Sequence, residues 1–181
     1  MDHAEYIVEI KKAIEPLLTK NVIYLIKNKC KKHLKTGNGL DKTVRNVKGY
    51  SLKPNTPTNT FYFNYIKKEI ERLYSFYKIK FPQMHSDKIN QIDLLKYSPG
   101  GRYNLHVDHF SNVARHLSII INLNDNYEGG DLVFTDSKLN EIKRLKLEKR
   151  SIVFFPSNFM YPHTIEPITK GTRYSIVAWL Q

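Results

Sequence analysis

The sequence predicts an α+β fold that is mainly β, with helices in the first half of the chain and a two-layered sheet in the second. From about residue 91 onward the apolar runs are short, broken by turn residues and free of helical periodicity. Short strands without an intervening helix favour a sandwich or a double-sheet jelly roll, with the N-terminal helices packed on one sheet. A chain of 181 residues can bury one substantial core, so we expect a single domain spanning 1–181. The eight predicted strands lie at about 91–97, 103–109, 115–123, 131–135, 141–147, 151–155, 163–168 and 173–180.

The first predicted helix follows a short apolar stretch at 13–18, in which Pro16 suits an edge strand. Thr19 is a plausible N-cap for the helix. Apolar residues then recur at helical spacing between 22 and 34, and Gly37 and Gly39 indicate where the helix ends.

The clearest helix is predicted over 61–77, where apolar and charged residues occupy opposite faces. Lys67, Glu69 and Arg72 belong to the charged face, which we expect in solvent. The apolar stripe should pack against the outer face of a sheet, and its members are Tyr62, Ile66, Ile70, Leu73 and Tyr77.

A long mobile loop is predicted between the two helices, over 36–60, because few apolar residues occur there among several Pro, Gly, Asn and Thr. Loops of this length in compact domains are often lids over a site. Arg45, Lys48 and Tyr50 are the candidate substrate contacts of such a lid, with ordinary solvated side chains as the alternative. Together, 1–80 would form helical support and lid, and 91–181 the catalytic core.

A metal site is predicted around His106-Val107-Asp108. In an extended strand, residues two apart point to the same face, so this spacing places an imidazole and a carboxylate side by side. Two ligands leave a divalent metal under-coordinated, and His163, after Tyr161 and Pro162, is the best candidate for the third. Two histidines and one carboxylate with open positions are typical of non-haem Fe(II) oxygenases.

Arg173 is the second candidate functional residue. It lies ten residues after His163 and begins the apolar run 173–180. A buried, unpaired cation costs several kcal/mol. A bound carboxylate would offset that cost through a bidentate, charge-assisted contact.

These residues resemble the His-x-Asp, His and Arg set of the 2-oxoglutarate- and Fe(II)-dependent dioxygenases, and the wider pattern resembles the prolyl 4-hydroxylase branch. The motifs run from about residue 97 to the end of the chain, and their order and spacing are more specific than His-x-Asp alone. The matching pieces are Tyr97, Gly100, Tyr103, His106-Val107-Asp108, the segments 115–124, 128–134 and 151–156, Pro162-His163 and Arg173-Tyr174.

The resemblance implies a double-stranded β-helix core in which His106, Asp108 and His163 hold Fe(II). It also implies 2-oxoglutarate as cosubstrate, with its far carboxylate on Arg173, dioxygen as a further substrate and ascorbate as a candidate reductant. The implied reaction hydroxylates a prolyl residue of a peptide or protein and decarboxylates 2-oxoglutarate to succinate and CO2.

The resemblance also suggests roles for residues around the metal. Tyr97 would hydrogen-bond the cosubstrate, Tyr103 would lie beside the substrate, and Arg115 would face the substrate peptide. Strand alternation puts Ser118 and Asn122 on the inner face of their predicted strand, where they would line the carboxylate end of the pocket. Trp179, six residues after Arg173, would form an apolar wall. Collagen-type enzymes of the secretory pathway commonly have Lys where this chain has Arg173, so the resemblance leaves the target protein open.

Composition restricts the protein's setting. No apolar run approaches the roughly 20 residues of a membrane span, and the N-terminus lacks the order of a secretory signal. Cys30 is the only cysteine, which favours a reducing compartment and a cytoplasmic enzyme. The net charge of +12 is concentrated in residues 1–80, with 17 Lys and Arg against 7 Asp and Glu. We interpret that excess as a solvated helix face without interleaved aromatic residues; a nucleic-acid partner is the alternative.

Three other functions stay open. The same chemistry could demethylate nucleic acid, although the demethylases resemble one another in a second Arg six residues after the first, where this chain has Trp179. A free amino acid or another side chain, such as Lys, could be the hydroxylated group. The chain could also be a jelly-roll binding module without a metal. We interpret His85, His109 and His116 as residues outside the metal set.

Overall fold

The computed structural model describes residues 3–35, 39–109 and 113–181. Within these ranges a 3-10 turn at His3–Tyr6 precedes two α-helices, α1 (Pro16–Lys29) and α2 (Pro57–Lys80). The strands are β1 (Val8–Ile10), β2 (Lys32–His33), β3 (Arg45–Asn46), β4 (Lys48–Leu52), β5 (Ile89–Tyr97), β6 (Arg102–His106), β7 (Leu117–Asn122), β8 (Tyr127–Gly129), β9 (Leu132–Thr135), β10 (Glu141–Leu145), β11 (Ser151–Pro156), β12 (His163–Ile165), β13 (Ile168–Gly171) and β14 (Arg173–Leu180).

Two antiparallel sheets form the core. The larger sheet has the order β1-β11-β7-β14-β5-β4-β2, and the smaller one the order β10-β9-β12-β6-β3. A short ribbon pairs β13 with β8. Buried side chains from both sheets, such as Leu95, Ile120 and Phe134, form one apolar cluster between them. The predicted mainly-β, double-sheet fold is confirmed.

The two helices cover the outer face of the seven-stranded sheet, as predicted. Alternate side chains of a strand point to opposite faces of its sheet, so one strand contributes to the packing on both sides. On β7, Leu117, Ile119 and Ile121 join the cluster under the helices. Ser118, Ile120 and Asn122 lie on the opposite face, which lines the interior between the sheets.

The predicted bounds of the first helix are wrong at both ends. α1 begins at Pro16, and the Glu15 carboxylate accepts hydrogen bonds from the backbone N–H groups of Leu17 and Leu18, so Glu15 is the N-cap instead of Thr19. Pro suits the first helical position because a backbone N–H at that position has no partner within the helix, so Pro loses no hydrogen bond there. The helix ends at Lys29, well before Gly37, which falls outside the described residues.

The predicted loop over 36–60 is also wrong for much of its length. β4 pairs with β5 inside the seven-stranded sheet, and β3 pairs with β6 in the other sheet. Because this hydrogen bonding comes from strands far along the chain, the local composition could not reveal it. The part of the predicted loop at 36–38 lies outside the described residues.

The second helix is longer than predicted, with Thr56 as its N-cap. Its apolar stripe is buried at Ile66, Ile70 and Leu73, as expected. Glu69 was predicted in solvent but is 9% exposed, and it forms an ion pair with Arg72 at 2.8 Å.

Most predicted strands occur within a few residues of their expected bounds. Three differences matter: 163–168 divides into β12 and β13, β8 was not predicted, and the strand carrying the metal motif ends at His106. None of the helices in the described part of the chain is long and apolar enough to cross a membrane.

Candidate metal and cosubstrate site

Three predicted ligands converge between the sheets. His106 ends β6 and His163 begins β12, and these two residues are direct partners in the register of the smaller sheet. One ligand atom from each histidine and one from Asp108 lie within 4.8 Å of one another. His106 Nε2 is 3.6 Å from Asp108 Oδ1, and His163 Nε2 is 3.8 Å from Oδ2.

The reason predicted for this convergence was partly wrong. Asp108 lies beyond the end of β6, where the chain bends, so simple strand alternation does not place it beside His106. The bend and the β6–β12 pairing together bring the three side chains to one point.

The contacts of both histidines favour the tautomer that leaves Nε2 free to bind a metal. Nδ1 of His106 lies 2.8 Å from the carbonyl oxygen of Asn104, and Nδ1 of His163 lies 3.1 Å from that of Tyr161. A carbonyl oxygen only accepts, so each Nδ1 carries the proton and each Nε2 presents a lone pair. Both Nε2 atoms therefore face Asp108 as ligands.

Hydrogen bonds and charge keep the Asp108 carboxyl ionised. The Ser118 hydroxyl donates to Oδ2 at 2.7 Å and lies 2.8 Å from the Ser157 hydroxyl. Burial alone would raise the pKa of Asp108, but His163, His106 and the Ser118 hydrogen bond outweigh it, so the pKa falls below its usual value. The Trp179 indole contributes in the same direction, although its Nε1 does not reach hydrogen-bond geometry with any described residue.

Burial, together with His163, lowers the pKa of His106 from 6.5 to about 3. A neutral His106 is the form that can bind a metal. The cluster offers two imidazole nitrogens and one carboxylate from one side, which fits a divalent iron with open positions. Among the described residues, this is the only group of three or more His, Cys, Asp or Glu side chains so arranged.

Arg173 is the buried cation that the sequence predicted. Only 1% of its surface is exposed. Its Nε donates to Asn122 Oδ1 at 3.2 Å, its Nη1 donates to the Gly130 carbonyl at 3.3 Å, and its guanidinium carbon lies 5.5 Å from the centroid of the Tyr97 ring. No described carboxylate lies within 4.0 Å of it, so neutral groups alone hold this charge.

The backbone near Gly130 is shaped around Arg173. Gly130 has a φ of +73°, and a Cβ there would collide with the side chain of Ile168. Glycine takes this left-handed conformation at no steric cost, and it leaves the Ile168 side chain in place beside Arg173.

A narrow cavity of about 30 Å³ joins the metal cluster to Arg173. Between the two ends its walls are mainly apolar, with Leu95, Tyr97, Ile120, Ile165 and Val177. Burial raises the pKa of the Tyr97 hydroxyl, partly offset by Arg173, so Tyr97 stays a neutral phenol. A small dicarboxylic acid would fit this arrangement, with one carboxylate on Arg173 and its other end bound to the metal. Such a molecule would have to widen the cavity.

A second cavity, of about 300 Å³, opens on the other side of Asp108. Tyr103 stacks on the His106 ring with centroids 3.5 Å apart, and the Arg45 guanidinium lies 4.6 Å from the centroid of Tyr103. Arg115 lies 3.7 Å from the centroid of Trp179, and it donates to the Asp108 carbonyl and to Gln91. Tyr103 and Arg115 therefore both line this cavity beside Asp108, and their contacts with a substrate stay a prediction.

Several residues of this second cavity were not predicted from the sequence, among them Gln91 and Asp93. Asp93 and Gln91 lie on β5, and Gln91 donates to Asp93 Oδ2 at 3.0 Å. Burial raises the pKa of Asp93. Asp93 alternates with Leu95 and Tyr97 on the interior face of β5, which was the one available signal.

The remaining histidines stay outside the cluster, as interpreted from the sequence. His109 Nδ1 lies 3.3 Å from the Arg115 carbonyl oxygen, and His116 Nδ1 lies 2.6 Å from the Ser86 hydroxyl. Neither they nor His85 join the group of candidate ligands.

The fold and the site together define a double-sheet jelly roll with a two-histidine, one-carboxylate cluster facing a buried arginine. Residues 92–181 match the sequence model of the 2OG-Fe(II) oxygenase superfamily. The chain belongs to this superfamily, whose name states its use of 2-oxoglutarate and Fe(II).

Curated relatives are named as hydroxylases. A PKHD-type hydroxylase of Prochlorococcus marinus is 33% identical over 98 residues, which is 52% of this chain and 42% of the relative. A PKHD-type hydroxylase of Gloeothece citriformis is 33% identical over 100 residues, which is 52% of this chain and 44% of the relative. The chain thus spans less than half the length of these relatives.

Solved structures share the fold. A Trichoplax adhaerens prolyl hydroxylase in complex with a hypoxia inducible factor peptide fragment has a TM-score of 0.80 at 16% identity, covering 97% of this chain and 83% of that one. A Pseudomonas putida prolyl-4-hydroxylase has a TM-score of 0.76 at 16% identity, covering 97% and 92%. At such identities the likeness extends to the fold alone.

Proposed function

We propose that this chain is an Fe(II)- and 2-oxoglutarate-dependent dioxygenase that hydroxylates a prolyl residue of a peptide or protein. The single observation that carries the proposal is the pairing of the His106, Asp108 and His163 cluster with a buried Arg173 that lacks a carboxylate partner among the described residues. Family membership supports the same chemistry.

Each residue has a distinct role in this proposal. His106 and His163 would bind iron through Nε2, and Asp108 would bind it through a carboxylate oxygen that Ser118 keeps ionised and oriented. Arg173 would bind the far carboxylate of 2-oxoglutarate, with Tyr97 beside it. When bound, Fe(II) and 2-oxoglutarate supply the oxidising chemistry, using dioxygen and releasing succinate and CO2.

The apolar walls of the first cavity would keep water away from the bound cosubstrate. Leu95, Ile120 and Val177 exclude water from the space between the cluster and Arg173, which strengthens the charge-assisted contact there. Because that space is narrow, cosubstrate binding would have to move apart side chains that now touch.

The second cavity is the proposed substrate site. Arg45 and Arg115 present guanidinium donors that suit peptide carbonyl oxygens, and Trp179 and Tyr103 present flat rings that suit a pyrrolidine. Asp93 adds an acceptor for a peptide N–H. This mixture fits a peptide backbone better than a free amino acid, and two of the neighbours by fold are named as prolyl hydroxylases.

We further propose that residues 1–181 act as one domain, supported by the strands that 1–80 contribute to both sheets. A reducing, cytoplasmic setting is the accompanying proposal, supported by Cys30, a buried cysteine outside any disulfide. Ascorbate belongs in the assay as a candidate reductant.

The test begins with anaerobic titration of the metal-free protein with Fe(II) and 2-oxoglutarate, followed by the weak visible absorption of the complex. Air is then admitted with proline-containing peptides while succinate and peptide mass are measured. We expect the absorption band, succinate release stimulated by peptide, and a mass increase of one oxygen on proline. Asp108→Ala should abolish all three, and His85→Ala, which removes a histidine outside the cluster, should abolish none.

The possible outcomes test the prolyl substrate, the oxygenase chemistry and iron binding separately. A band without peptide stimulation would contradict the prolyl substrate and leave the oxygenase. Oxygen found on lysine or on a free amino acid would identify another substrate. Absence of iron binding by the folded protein would contradict the whole proposal.

A further inference from the structure

A large groove lies beside α1, away from the metal cluster. It encloses about 620 Å³. One wall is the exposed side of α1, and the other is formed by the turn between β10 and β11 with Asp125 from the connection after β7. No residue of this groove also lines the two cavities beside the metal cluster, so the oxygenase site leaves it unexplained.

The groove is strongly positive. Five cations line it against two carboxylates, Asp125 and Glu148. Glu148 is already paired with Lys11 at 2.7 Å, outside the groove lining. The five cations are Lys12, Lys20, Lys27, Lys149 and Arg150.

Within the described ranges, no carboxylate lies within 4.0 Å of any of these five cations. In the described part of the chain, the Arg150 side chain donates only to the backbone carbonyls of Ile14 and Lys12, which are neutral. Lys27 lies 5.8 Å from the centroid of the Tyr174 ring, a contact that leaves its positive charge uncompensated. Glu15 attracts Arg150 and Glu148 attracts Lys12 over longer distances. Lys20, Lys27 and Lys149 still give the groove a net positive charge that a ligand can neutralise.

An aromatic ring stands inside this positive surface. Lys20, Tyr24 and Lys27 are spaced so that they share one face of α1 over a rise of about 10 Å. Tyr24 is 72% exposed, and no ring-to-ring contact involves it in the described part of the chain. The sequence-based expectation of a basic surface without an interleaved aromatic residue is wrong here.

We infer that this groove binds single-stranded nucleic acid, with its unpaired cations neutralising phosphates and Tyr24 stacking on a base. A positive groove combined with an exposed aromatic face is how proteins bind single strands without sequence preference, and the basic pI of about 9.6 favours the same partner. An acidic peptide could use the same cations, but it would leave the Tyr24 ring without a partner.

This inference stands beside the proposed oxygenase function and does not depend on it. The groove shares no lining residue with the metal cavities. Binding in the groove therefore does not make the nucleic acid the substrate that is oxidised. Nucleic acid here would instead localise the enzyme.

The test is fluorescence anisotropy of the full chain with 5′-labelled 15-nucleotide oligo(rU) and oligo(dT) between 50 and 200 mM salt. If three to five phosphates are neutralised, log K should fall against log salt with a slope of about −2 to −3.5. Either oligonucleotide binding in this way supports the inference, and preference for oligo(rU) would identify RNA as the form.

Three variants locate the binding. Lys20→Glu with Lys27→Glu should weaken binding at least tenfold and flatten the salt slope. Tyr24→Leu should weaken binding about fivefold or more, as expected for a lost stacking contact, with little change in the slope. The control, Lys68→Glu with Lys78→Glu on the exposed side of α2, makes the same change in net charge outside the groove.

Equal weakening by the α1 and α2 pairs would overturn the inference, because it would show attraction by net charge alone. Binding unaffected by the Lys20 and Lys27 changes would overturn it as well. So would poly-L-glutamate binding to the groove in the absence of oligonucleotide binding, which would indicate an acidic protein partner. Circular dichroism and thermal unfolding must show that each variant is folded.

Discussion

Replacement of Arg173 by Met gives the sharpest test of the cosubstrate site. Met has a similar length and is apolar, so the substitution removes the charge and both hydrogen bonds while filling much of the space. Among the described residues, the Arg173 guanidinium of the free protein has only neutral partners, Asn122 and Gly130. Asn122 Oδ1 keeps another donor, the Tyr127 hydroxyl at 3.2 Å.

Two opposing effects set the stability of the Arg173→Met protein. The lost hydrogen bonds destabilise it, and removal of a buried cation that has no described carboxylate partner stabilises it. We expect the free energy of unfolding without ligands to change by no more than about 2 kcal/mol.

The effect on 2-oxoglutarate should be much larger. Leaving one charge of a buried pair without its partner costs roughly 2 to 5 kcal/mol. Since about 1.4 kcal/mol corresponds to a factor of ten, 2-oxoglutarate should bind roughly 30-fold to several thousand-fold more weakly. Fe(II) affinity should be unchanged, because Arg173 is not among the candidate ligands.

Anaerobic calorimetry of 2-oxoglutarate binding to the Fe(II)-loaded protein measures the loss of 2-oxoglutarate affinity directly. Arg144→Met is the matched control, since Arg144 is a surface arginine already paired with Glu141 and Glu166. Its substitution should leave 2-oxoglutarate affinity as in the wild type. Wild-type affinity in folded Arg173→Met would refute the assignment of the far carboxylate to Arg173.

Three further predictions follow from the same contacts. Ser118→Ala removes the 2.7 Å hydrogen bond to Asp108 and should weaken Fe(II) binding by roughly 10- to 100-fold; unchanged affinity in a metal titration would contradict the role given to Ser118. The folded-state pKa of His106, about 3, lies below its ordinary value of 6.5. On acidification the unfolded state therefore takes up a proton on His106 before the folded state does. The metal-free protein should lose stability as pH falls from about 6.5 toward 3. Thermal unfolding against pH should show a shallower dependence in His106→Gln, and an identical slope in both proteins would be evidence against a buried neutral imidazole. Burial raises the pKa of the Cys30 thiol to about 12, so iodoacetamide should modify it only at the rate of unfolding, and rapid labelling of the native protein would contradict that.

The sequence by itself determined the chemistry of this protein. Short apolar runs after residue 91 predicted the strands, because a half-buried strand must alternate and must end at turn residues. His106, Asp108 and His163 were recognisable because few residue types bind a divalent metal, and Arg173 stood out because an arginine in an apolar run needs a compensating charge. Residue types and spacing made these residues candidates, and the resemblance to the 2-oxoglutarate- and Fe(II)-dependent dioxygenases implied their roles.

The tertiary structure decided which chain segments meet. β3 and β4 look like loop in the sequence, since their hydrogen-bond partners in β5 and β6 lie some 40 to 60 positions away. The same pairing places Arg45 over Tyr103, and the β5–β14 and β5–β4 pairings place Asp93 on the wall of the second cavity. The groove beside α1 joins residues from three separate segments, 12–27, 125 and 148–150. Local patterns record burial and turns, whereas such long-range contacts are fixed only when the sheets close on each other.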